Sequence, residues 1–392
     1  MIIGIDLTAL DPNHRGGVTR FSLDITKSLI DIRNEDHIVV IASNKNVDYI
    51  KENIKNLDKF KIELVNKSHL NGLVNKVLSI FSWVTRNYEV RKWYEKYFRK
   101  RINEYISKTV DIYYSPTTLL NFFNLSIPTL VSIHDIQHED LPENFSLRER
   151  IGRWSHYKAT CIYASCIQVS SKFIFNSIQK NYKEIQCEKM KIIPEGVSKY
   201  WFIKEDDSYE KPVIHEKYVF YPAQLWAHKN HLQLIEAANY IKNKYKKEIN
   251  FVLTGGDKGM LSLIRENIYK YDLKKIHYLG VVSDKEIKAL YFYSNLVISI
   301  SNYESSCLPI KEAIAMGKNV LVSDIEPNIE LADEISINLY KKDDIADLAE
   351  KLYYFSDCQN ISAIDQEIVK KFEWGLVAEK YKENFRRLYE GK

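Results

Sequence analysis

Short apolar runs alternate with stretches of helical spacing along the whole chain, and this alternation restricts the possible folds more than any other feature. The runs are residues 2–6, 37–42, 111–115, 129–133, 166–170 and 191–194, then residues 218–221, 250–254, 277–280, 296–300 and 319–323. Strands that alternate with helices form parallel sheets. Because 392 residues exceed the size of most single cores, we predict an α/β protein with two parallel-sheet domains.

The alternation is interrupted over about residues 195–216, which we predict to be the linker between the domains. An acidic run at residues 205–208, followed by Pro212, has the composition typical of a linker. We predict one Rossmann-like domain over residues 1–200 and a second over residues 215–373, followed by a final helix in residues 374–392. Two such domains that face each other across a cleft are the simplest architecture.

Composition limits the class of protein. The net charge of +4 is small for this length and argues against a dedicated nucleic-acid-binding protein, which would carry a basic face or domain. The start of the chain lacks the basic segment of a signal peptide, and no apolar run is long enough to predict a membrane-spanning helix. The five cysteines are scattered and odd in number, as expected for reduced thiols in the cytoplasm. We therefore expect a cytoplasmic protein.

The segment after the apolar run 296–300 predicts an anion site. Pro309 suits the first turn of a helix and Gly317 suits the residue just past its end. The helix N-terminus then lies at the carboxyl end of a strand, where N–H groups and the helix dipole attract an anion. The loop that carries this site consists of Ser305, Ser306, Cys307 and Leu308.

Two carboxylates flank the predicted anion site. Glu304 lies in the loop and Glu312 lies about one turn into the helix. Carboxylates repel phosphate, so sugar hydroxyls explain them better, and an anion together with a polyol suggests a nucleotide sugar. The alternative is an ordinary turn of an α/β protein in which Glu312 is a solvated helix residue.

A second loop carries two hydrogen-bond donors. His228 and Lys229 follow the apolar run 218–221, and Asn230 is expected to cap a helix that starts at His231. In a parallel sheet this loop shares the carboxyl edge with Glu304, and ligands bind at that edge. The alternative is a simple surface pair of basic residues.

Together the two loops resemble those of the retaining glycosyltransferases of family 4, which have the GT-B fold. Glu304 and Glu312 fit the family's signature of two glutamates separated by seven residues. His228, Lys229 and Asn230 fit its upstream loop, with His where Arg is frequent, and Gln224 stands where many members have another Arg. Residues 133–146 and the opening 3–7, followed by Gly16 and Gly17, resemble members that build bacterial surface polysaccharides.

The resemblance implies transfer of a sugar, with retention, from a GDP-mannose-like or UDP-sugar donor to a glycan or lipid-linked acceptor, as in O-antigen and lipopolysaccharide synthesis. It implies that residues 1–200 bind the acceptor, that residues 215–373 bind the nucleotide sugar, and that the last helix packs back on the first domain. Lys229, helped by His228, would stabilise the leaving phosphate. The resemblance implies that Glu304 holds the donor sugar and Glu312 the ribose. The alternatives are a non-catalytic sugar-binding or scaffold subunit, and a nucleotide-sugar epimerase or hydrolase.

Four glycines are candidates for close approach of the backbone to the donor. They are Gly16 and Gly17 before the first helix, Gly255 after the run 250–254, and Gly280 at the end of the run 277–280. The alternative for such glycines is a turn that requires a positive φ.

His134 follows the run 129–133 at a strand end and is expected to line the transferred sugar, as a third catalytic residue beside Lys229 and Glu304. The alternative is a histidine near the sheet whose hydrogen bonds are satisfied within the protein. Together with His138, Asp135, Glu139 and Asp140 it could instead bind a metal. A histidine pair spaced by four requires a helix, however, and Pro142 and the preceding strand make a helix there unexpected. We therefore expect no metal and no cofactor.

Residues 70–106 predict contact with the inner face of an anionic membrane, where a lipid-linked acceptor would be delivered. Basic residues are attracted to such a surface and aromatic rings settle at the headgroups. The apolar residues are Leu73, Val74, Val77, Leu78, Ile80, Phe81 and Trp83; the basic ones are Arg86, Arg91, Lys92, Lys96, Arg99, Lys100 and Arg101; the aromatic ones are Tyr88, Trp93, Tyr94, Tyr97 and Phe98. The alternative is a long helix packed on its own domain.

Overall fold

The computed structural model describes residues 1–13, 16–32, 36–65, 71–85, 87–202, 214, 216–357 and 366–391. The chain divides into two compact units, Met1–Gly196 together with Trp374–Lys392, and Val197–Glu373. Of the predicted linker at residues 195–216, residues 203–213 and 215 lie outside the described residues, and Lys199–Trp201 form a short 3-10 helix. Of the helices in the described ranges, none has the length and apolar character needed to cross a bilayer.

In the described part of the first unit, seven parallel strands form one sheet in the order β3-β2-β1-β4-β5-β6-β7. The strands are β1 (Ile2–Asp6), β2 (His37–Ala42), β3 (Phe60–Leu64), β4 (Ile112–Ser115), β5 (Thr129–Ile133), β6 (Cys166–Val169) and β7 (Met190–Ile192). Successive side chains pack on opposite faces: Tyr113 belongs to one core and Tyr114 to the other. A sheet buried on both faces needs apolar residues at every position, which explains the continuous apolar runs.

Helices cover both faces of this sheet. They are α1 (Gly17–Asp31), α2 (Val47–Asn53), α3 (Asn71–Thr85), α4 (Glu89–Phe98), α5 (Lys100–Thr109), α6 (Gln137–Asp140), α7 (Leu147–Tyr163) and α8 (Lys172–Asn181). A capping box formed by Ser146 and Glu149 starts α7, the longest of them. The segment 71–109 therefore forms three helices, and the alternative of one long helix is wrong.

In the second unit, six parallel strands of the described residues form a sheet in the order β10-β9-β8-β11-β12-β13. They are β8 (Val219–Pro222), β9 (Phe251–Thr254), β10 (Ile276–Tyr278), β11 (Leu296–Ser299), β12 (Val320–Ser323) and β13 (Asn338–Tyr340). The helices are α9 (His231–Tyr245), α10 (Leu261–Lys270), α11 (Asp284–Tyr293), α12 (Leu308–Ala315), α13 (Glu326–Glu334), α14 (Ile345–Asp357) and α15 (Gln366–Lys370). The predicted fold class of two parallel-sheet α/β domains is confirmed.

The last helix, α16 (Trp374–Tyr389), belongs to the first unit although it follows the second along the chain. Its aromatic side chains pack there: the ring of Trp374 lies 5.3 Å from that of Phe21, and the ring of Phe385 lies 5.5 Å from that of Tyr114. Trp374, Tyr381 and Phe385 are all buried in the core shared by α1 and β1. The chain therefore crosses between the units twice.

The sequence patterns predict neither β3 nor β13. Both are edge strands, and edge strands need not be apolar at every position. In β3 the apolar residues alternate with Lys61 and Glu63, and β13 is only three residues long and starts with Asn338. Apolar runs therefore predict every central strand and the edge strands β7 and β10, but not the edge strands β3 and β13.

Candidate active site

The segment from β11 to α12 has the predicted form of strand, loop and helix. Pro309 lies in the first turn of α12, and Gly317 follows the end of the helix with a φ of +71°. Cys307 occupies the N-cap position in the left-handed region, with a φ of +44°. Because β8, β9 and β10 are parallel to β11, the loops that follow them open at the same edge of the sheet as the N-terminus of α12.

The loop after β8 is joined to the loop after β11 by direct hydrogen bonds. The backbone N–H of Asn302 donates to the carbonyl oxygen of His228 over 2.8 Å. The side-chain amide of Asn230 donates to Asn302 Oδ1 over 3.2 Å and to Gln233 Oε1 over 2.8 Å. Asn230 occupies the N-cap position of α9, but its side chain forms no capping hydrogen bond, so that part of the expectation is wrong. Its backbone is in the left-handed region, with a φ of +55°, and its side chain links the two loops instead.

This link brings together the ammonium of Lys229 and the carboxylate of Glu304. Lys229 Nζ lies 2.5 Å from Glu304 Oε1. The two side chains are 18% and 12% exposed, so the pair is largely shielded from water. Tyr221 positions the backbone of Lys229, because its hydroxyl donates a hydrogen bond to the Lys229 carbonyl oxygen over 2.6 Å. The pair of residues that the two motifs single out therefore forms one ionic contact.

Glu312 is buried, which excludes the alternative of a solvated helix residue. Its side chain and backbone together are 2% exposed. The hydroxyl of Tyr291 donates to Glu312 Oε2 over 3.2 Å and lies 3.1 Å from the carbonyl oxygen of Pro309. A buried carboxylate requires such donors. Tyr291, on α11, therefore orients Glu312 against the first turn of α12.

Sequence reasoning missed a second cation at this loop. Lys311 is buried in α12, and its Nζ atom donates to Ser306 Oγ over 2.9 Å. The same atom lies 5.0 Å from the centre of the Phe372 ring. A lysine on a helix ordinarily indicates a solvated face, so the sequence carries no signal for this contact. It brings a lysine side chain into contact with the loop that carries the predicted anion site.

His228 is adjacent to Lys229 but carries no charge at neutral pH. Burial and the nearby ammonium of Lys229 lower the pKa of His228 to about 4, although Glu304 acts in the opposite direction. His228 can therefore act as a neutral hydrogen-bond donor and not as a second cation. Its ring is stacked at 6.4 Å on that of Trp226, whose indole N–H donates to Gln224 Oε1 over 3.0 Å.

Gly255 and Gly280 meet at the same edge and are required by the backbone. Gly255 has a φ of +121°, and a Cβ atom there would lie 2.5 Å from the carbonyl oxygen of Ala223. Gly280 has a φ of +71°, and its carbonyl oxygen accepts the N–H of Gly255 over 2.8 Å. The turn explanation therefore accounts for both glycines without a ligand.

Gly16 and Gly17 lie in the first unit, and the backbone requires a glycine at neither position. Gly16 is the N-cap residue of α1 with a φ of −103°, and Gly17 is the first residue of that helix. A Cβ atom on Gly17 would meet nothing within 4 Å. The explanation by positive φ is wrong for Gly16, and the packing around Gly17 does not require a glycine there.

His134 follows β5 in the first unit, and both of its ring nitrogens are engaged. Nδ1 lies 3.2 Å from Glu195 Oε1, and Nε2 lies 2.9 Å from the carbonyl oxygen of Pro116. Burial alone lowers the pKa of His134, but the hydrogen bond and charge of Glu195, with the Pro116 carbonyl, raise it above its ordinary value. Two acceptors at the two nitrogens favour the doubly protonated ring, which is oriented by this pair.

His138 lies in a helix that the sequence analysis does not expect. Residues Gln137–Asp140 form the single turn α6, but His134 lies outside it, so His134 and His138 do not share the helix that a metal-binding pair spaced by four requires. His138 Nε2 lies 3.2 Å from the hydroxyl of Tyr182, and burial with the charges of Arg153 and Arg150 lowers its pKa to about 3. Within the described ranges, no three His, Cys, Asp or Glu side chains are grouped so that they could hold a metal ion.

Residues 204–372 match the family described as "Glycosyl transferases group 1". The O-antigen chain mannosyltransferase RfbU of Salmonella typhimurium is 26% identical over 206 residues, which span 50% of this chain and 52% of that protein. The match thus spans about half the length of the curated relative.

Solved structures are similar over nearly the full length. Anabaena Alr3699/HepE, in complex with UDP and glucose, has a TM-score of 0.68 at 16% identity, with 98% of this chain and 99% of that chain covered. A glycosyltransferase from Rickettsia africae has a TM-score of 0.66 at 19% identity, with 100% and 99% covered. Residues 204–372 therefore resemble a group 1 glycosyl transferase domain, and the two parallel-sheet units of the chain have the fold of GT-B glycosyltransferases.

Proposed function

We propose that the protein is a retaining glycosyltransferase that moves a sugar from a nucleoside-diphosphate sugar to a hydroxyl of a glycan or lipid-linked acceptor. The observation that carries this proposal is the contact between Lys229 and Glu304 at the N-terminus of α12. It places a cation suited to phosphate and a carboxylate suited to sugar hydroxyls side by side. The similarity to an O-antigen mannosyltransferase supports a role in bacterial surface polysaccharide, such as the O-antigen of lipopolysaccharide.

Departure of the nucleoside diphosphate is the difficult step, because negative charge develops on the leaving oxygen. Positive groups that are already in place stabilise that charge without reorganisation. Lys229 supplies the nearest cation and the neutral His228 a hydrogen bond, while the N–H groups at the start of α12 supply the helix dipole. Lys311, behind Ser306, adds a second positive charge to the loop.

The carboxylates are assigned to the hydroxyl groups of the donor. When Lys229 binds the leaving phosphate, its ion pair with Glu304 is broken, and Glu304 can then accept hydrogen bonds from the hydroxyl groups of the donor sugar. Glu312, oriented by Tyr291, is assigned to the ribose hydroxyls. These two roles rest on the resemblance to family 4 and on the position of the two glutamates beside the anion site.

The reaction we propose takes place on one face of the sugar. The bond between the anomeric carbon and the phosphate oxygen breaks, and the acceptor oxygen forms the new bond on the same face. The proton of the acceptor hydroxyl moves to the departing phosphate. This route needs no covalent intermediate on the protein, and it retains the configuration of the anomeric carbon. His134, which is oriented by Glu195 and by the carbonyl oxygen of Pro116, is assigned to contact with the transferred sugar.

We further propose that no metal ion and no cofactor take part, since lysine side chains and a helix dipole can neutralise the diphosphate. The nucleotide sugar is a substrate. Because the named relatives include a mannosyltransferase and a protein bound to UDP and glucose, the donors to compare are GDP-mannose and UDP-sugars.

The decisive experiment incubates the purified protein with GDP-mannose, UDP-glucose and other UDP-sugars, with and without a lipid-linked acceptor. A glycosyltransferase releases nucleoside diphosphate and forms a product with the donor's anomeric configuration, read by NMR, only when the acceptor is present. Turnover without acceptor would instead identify an epimerase or hydrolase. Release of no nucleotide from any donor, despite binding, would leave only a sugar-binding or scaffold subunit.

A further inference from the structure

Helix α3 exposes its apolar side to solvent, which is the reverse of the usual arrangement. Its exposed apolar residues recur at the spacing of one helix face and are Leu73, Val77, Ile80, Phe81 and Val84. Leu73 is 71% exposed and Val84 is 68% exposed. An apolar stripe of this kind normally faces a core, so its exposure calls for a partner.

The inward side of α3 combines two serines with one apolar residue, Leu78, which is buried. Ser82 is fully buried, and Ser79 is nearly so. Arg91 of α4 is also buried and donates to Ser79 Oγ over 2.7 Å and to Ser155 Oγ of α7 over 3.1 Å. This network anchors α3 to α7 through hydrogen bonds, and it fixes the apolar stripe on the outside.

Helix α4 extends the exposed surface with aromatic rings. Trp93, Tyr97 and Phe98 are each more than half exposed, and the ring of Trp93 lies 5.2 Å from that of Tyr97 and 5.9 Å from that of Phe98. Aromatic rings with a polar edge are favoured at the boundary between lipid headgroups and acyl chains. We call this apolar and aromatic surface of α3 and α4 the α3–α4 face.

Charge decides which occupant suits this face. The exposed basic residues of α3, α4 and α5 outnumber the exposed acidic residues, Glu89 and Glu104. The basic ones are Lys76, Lys92, Lys96, Lys100, Arg101 and Lys108. An excess of positive charge disfavours a second copy of the same face and favours an anionic surface.

The structure changes which basic residues belong to this surface. Arg91 is buried, and Arg99 is paired with Glu95 at 2.7 Å and with the carbonyl oxygen of Asn121 at 2.9 Å. Both therefore stabilise the first unit from within and are unsuited to bind lipid. Arg86 and Leu70, which the sequence analysis includes, lie outside the described residues.

We propose that the α3–α4 face docks the first unit on an anionic lipid bilayer, with the apolar stripe at the acyl boundary and the lysines among the headgroups. This proposal concerns binding alone and does not depend on the reaction proposed above. It accounts for the inverted amphipathic character of α3, for the exposed aromatic cluster and for the sign of the surrounding charge.

The test is co-sedimentation with vesicles of phosphatidylglycerol mixed with phosphatidylcholine, and of phosphatidylcholine alone. Wild-type protein should pellet with the anionic vesicles and be released by high salt. A variant with Lys92, Lys96, Lys100 and Arg101 changed to Gln should bind ~10²-fold or more weakly, because each basic residue near such a surface contributes about fivefold. The matched control changes Lys217, Lys270, Lys285 and Lys342 to Gln, which removes the same charge from exposed positions of the second unit and should bind as wild type.

The apolar stripe needs its own pair of variants. Changing Val77, Ile80 and Phe81 to Gln should weaken binding to anionic vesicles by at least tenfold, since their burial in lipid is lost. The control changes Leu263, Tyr269 and Tyr354, exposed apolar residues of α10 and α14, to Gln and should not alter binding. Lipids brominated in the acyl chain should quench part of the tryptophan fluorescence of wild type, and Trp93→Phe should remove that part.

Three outcomes would overturn the proposal. The first is a wild-type protein that does not pellet with anionic vesicles, and the second is an equal loss of binding in both the face variants and their controls. The third is self-association at rising protein concentration that the face variants abolish, without any vesicle binding, which would show that a second copy covers the face. The salt release and the Trp93 quenching use protein without changes at α3, so they decide the question even if the α3 variant does not fold.

Discussion

Lys229 Nζ and Glu304 Oε1 lie 2.5 Å apart, although 75 residues of sequence separate them. The loop after β8 and the loop after β11 supply one partner each, and neighbouring parallel strands place those loops at one edge. The two charges compensate each other, and both side chains are largely shielded from water. A ligand with both phosphate and hydroxyl groups can replace this internal contact with one partner for each residue.

Replacing Lys229 by Ala should lower the rate of sugar transfer by ~10²–10³, because one preorganised cation at the leaving oxygen is lost. The same change should also destabilise the fold by ~1–3 kcal/mol, since Glu304 would remain largely buried without its partner. A simple surface lysine would not show this second effect. Initial rates with saturating donor and urea denaturation measure the two quantities.

The control for Lys229 is the double variant with Glu304→Gln, which removes the unpaired charge. It should recover stability without recovering turnover. Turnover near the wild-type value in Lys229→Ala would exclude Lys229 from the mechanism.

The two glutamates should differ in what they affect. Glu312→Gln should weaken binding of the free nucleoside diphosphate, whereas Glu304→Gln should leave that affinity nearly unchanged and impair use of the intact donor sugar. Calorimetric titration with the nucleotide and with the nucleotide sugar separates the cases. If both variants bind and turn over donor normally, the motif has only a structural role.

Lys311→Met should weaken nucleotide binding by about tenfold, because a buried positive charge behind Ser306 is removed from a site of low polarity. Lys288→Met is the matched control: Lys288 is also buried, but its Nζ atom lies over the ring of Tyr200, 4.0 Å from the ring centre. A similar loss of affinity in both variants would mean that the effect comes from general destabilisation.

The pair of His134 and Glu195 should make stability depend on pH. The raised pKa of His134 in the folded protein means that its contribution is fully present below the unfolded pKa of ~6.5 and is lost as the pH rises through the folded pKa. The free energy of unfolding should therefore fall with rising pH above ~6.5, with a slope of at most ~1.4 kcal/mol per pH unit.

Urea denaturation at a series of pH values checks this, with His134→Gln as the comparison. The variant should lack the slope in that window. His138, His228 and His231 have lowered pKa values, so their effect appears below pH ~6.5 and does not interfere. An unchanged slope in His134→Gln would show that another group titrates there.

Sugar transfer should survive EDTA, since we assign neutralisation of the diphosphate to lysine side chains and the dipole of α12. Rates before and after chelation, with and without added Mg²⁺ or Mn²⁺, test this assignment. A complete loss of activity that a divalent cation restores would contradict it.

Much of this protein could be predicted from local sequence, because central strands of a parallel sheet are apolar at every position. The strand–loop–helix of residues 296–317 could be recognised for a similar reason, since Pro309 and Gly317 have clear positional preferences at helix ends. The edge strands β3 and β13 and the short helix α6 could not, because β3 is not a continuous apolar run and because β13 and α6 are only three and four residues long. The role of Asn230 could not be predicted either. Its residue type suggests a helix cap, but its left-handed backbone conformation directs the side-chain amide to Asn302.

The sequence by itself thus determined two parallel sheets, the order of their central strands along the chain, and the loops that carry Lys229 and Glu304. Only the tertiary structure decided what each charged side chain contacts. It paired Lys229 with Glu304, buried Glu312 beneath Tyr291, turned Lys311 inward to Ser306, and placed the apolar side of α3 outside and Arg91 within. The physical reason is that strand and helix signals depend on neighbours in sequence, whereas burial and ionic contacts depend on groups that are far apart in the chain.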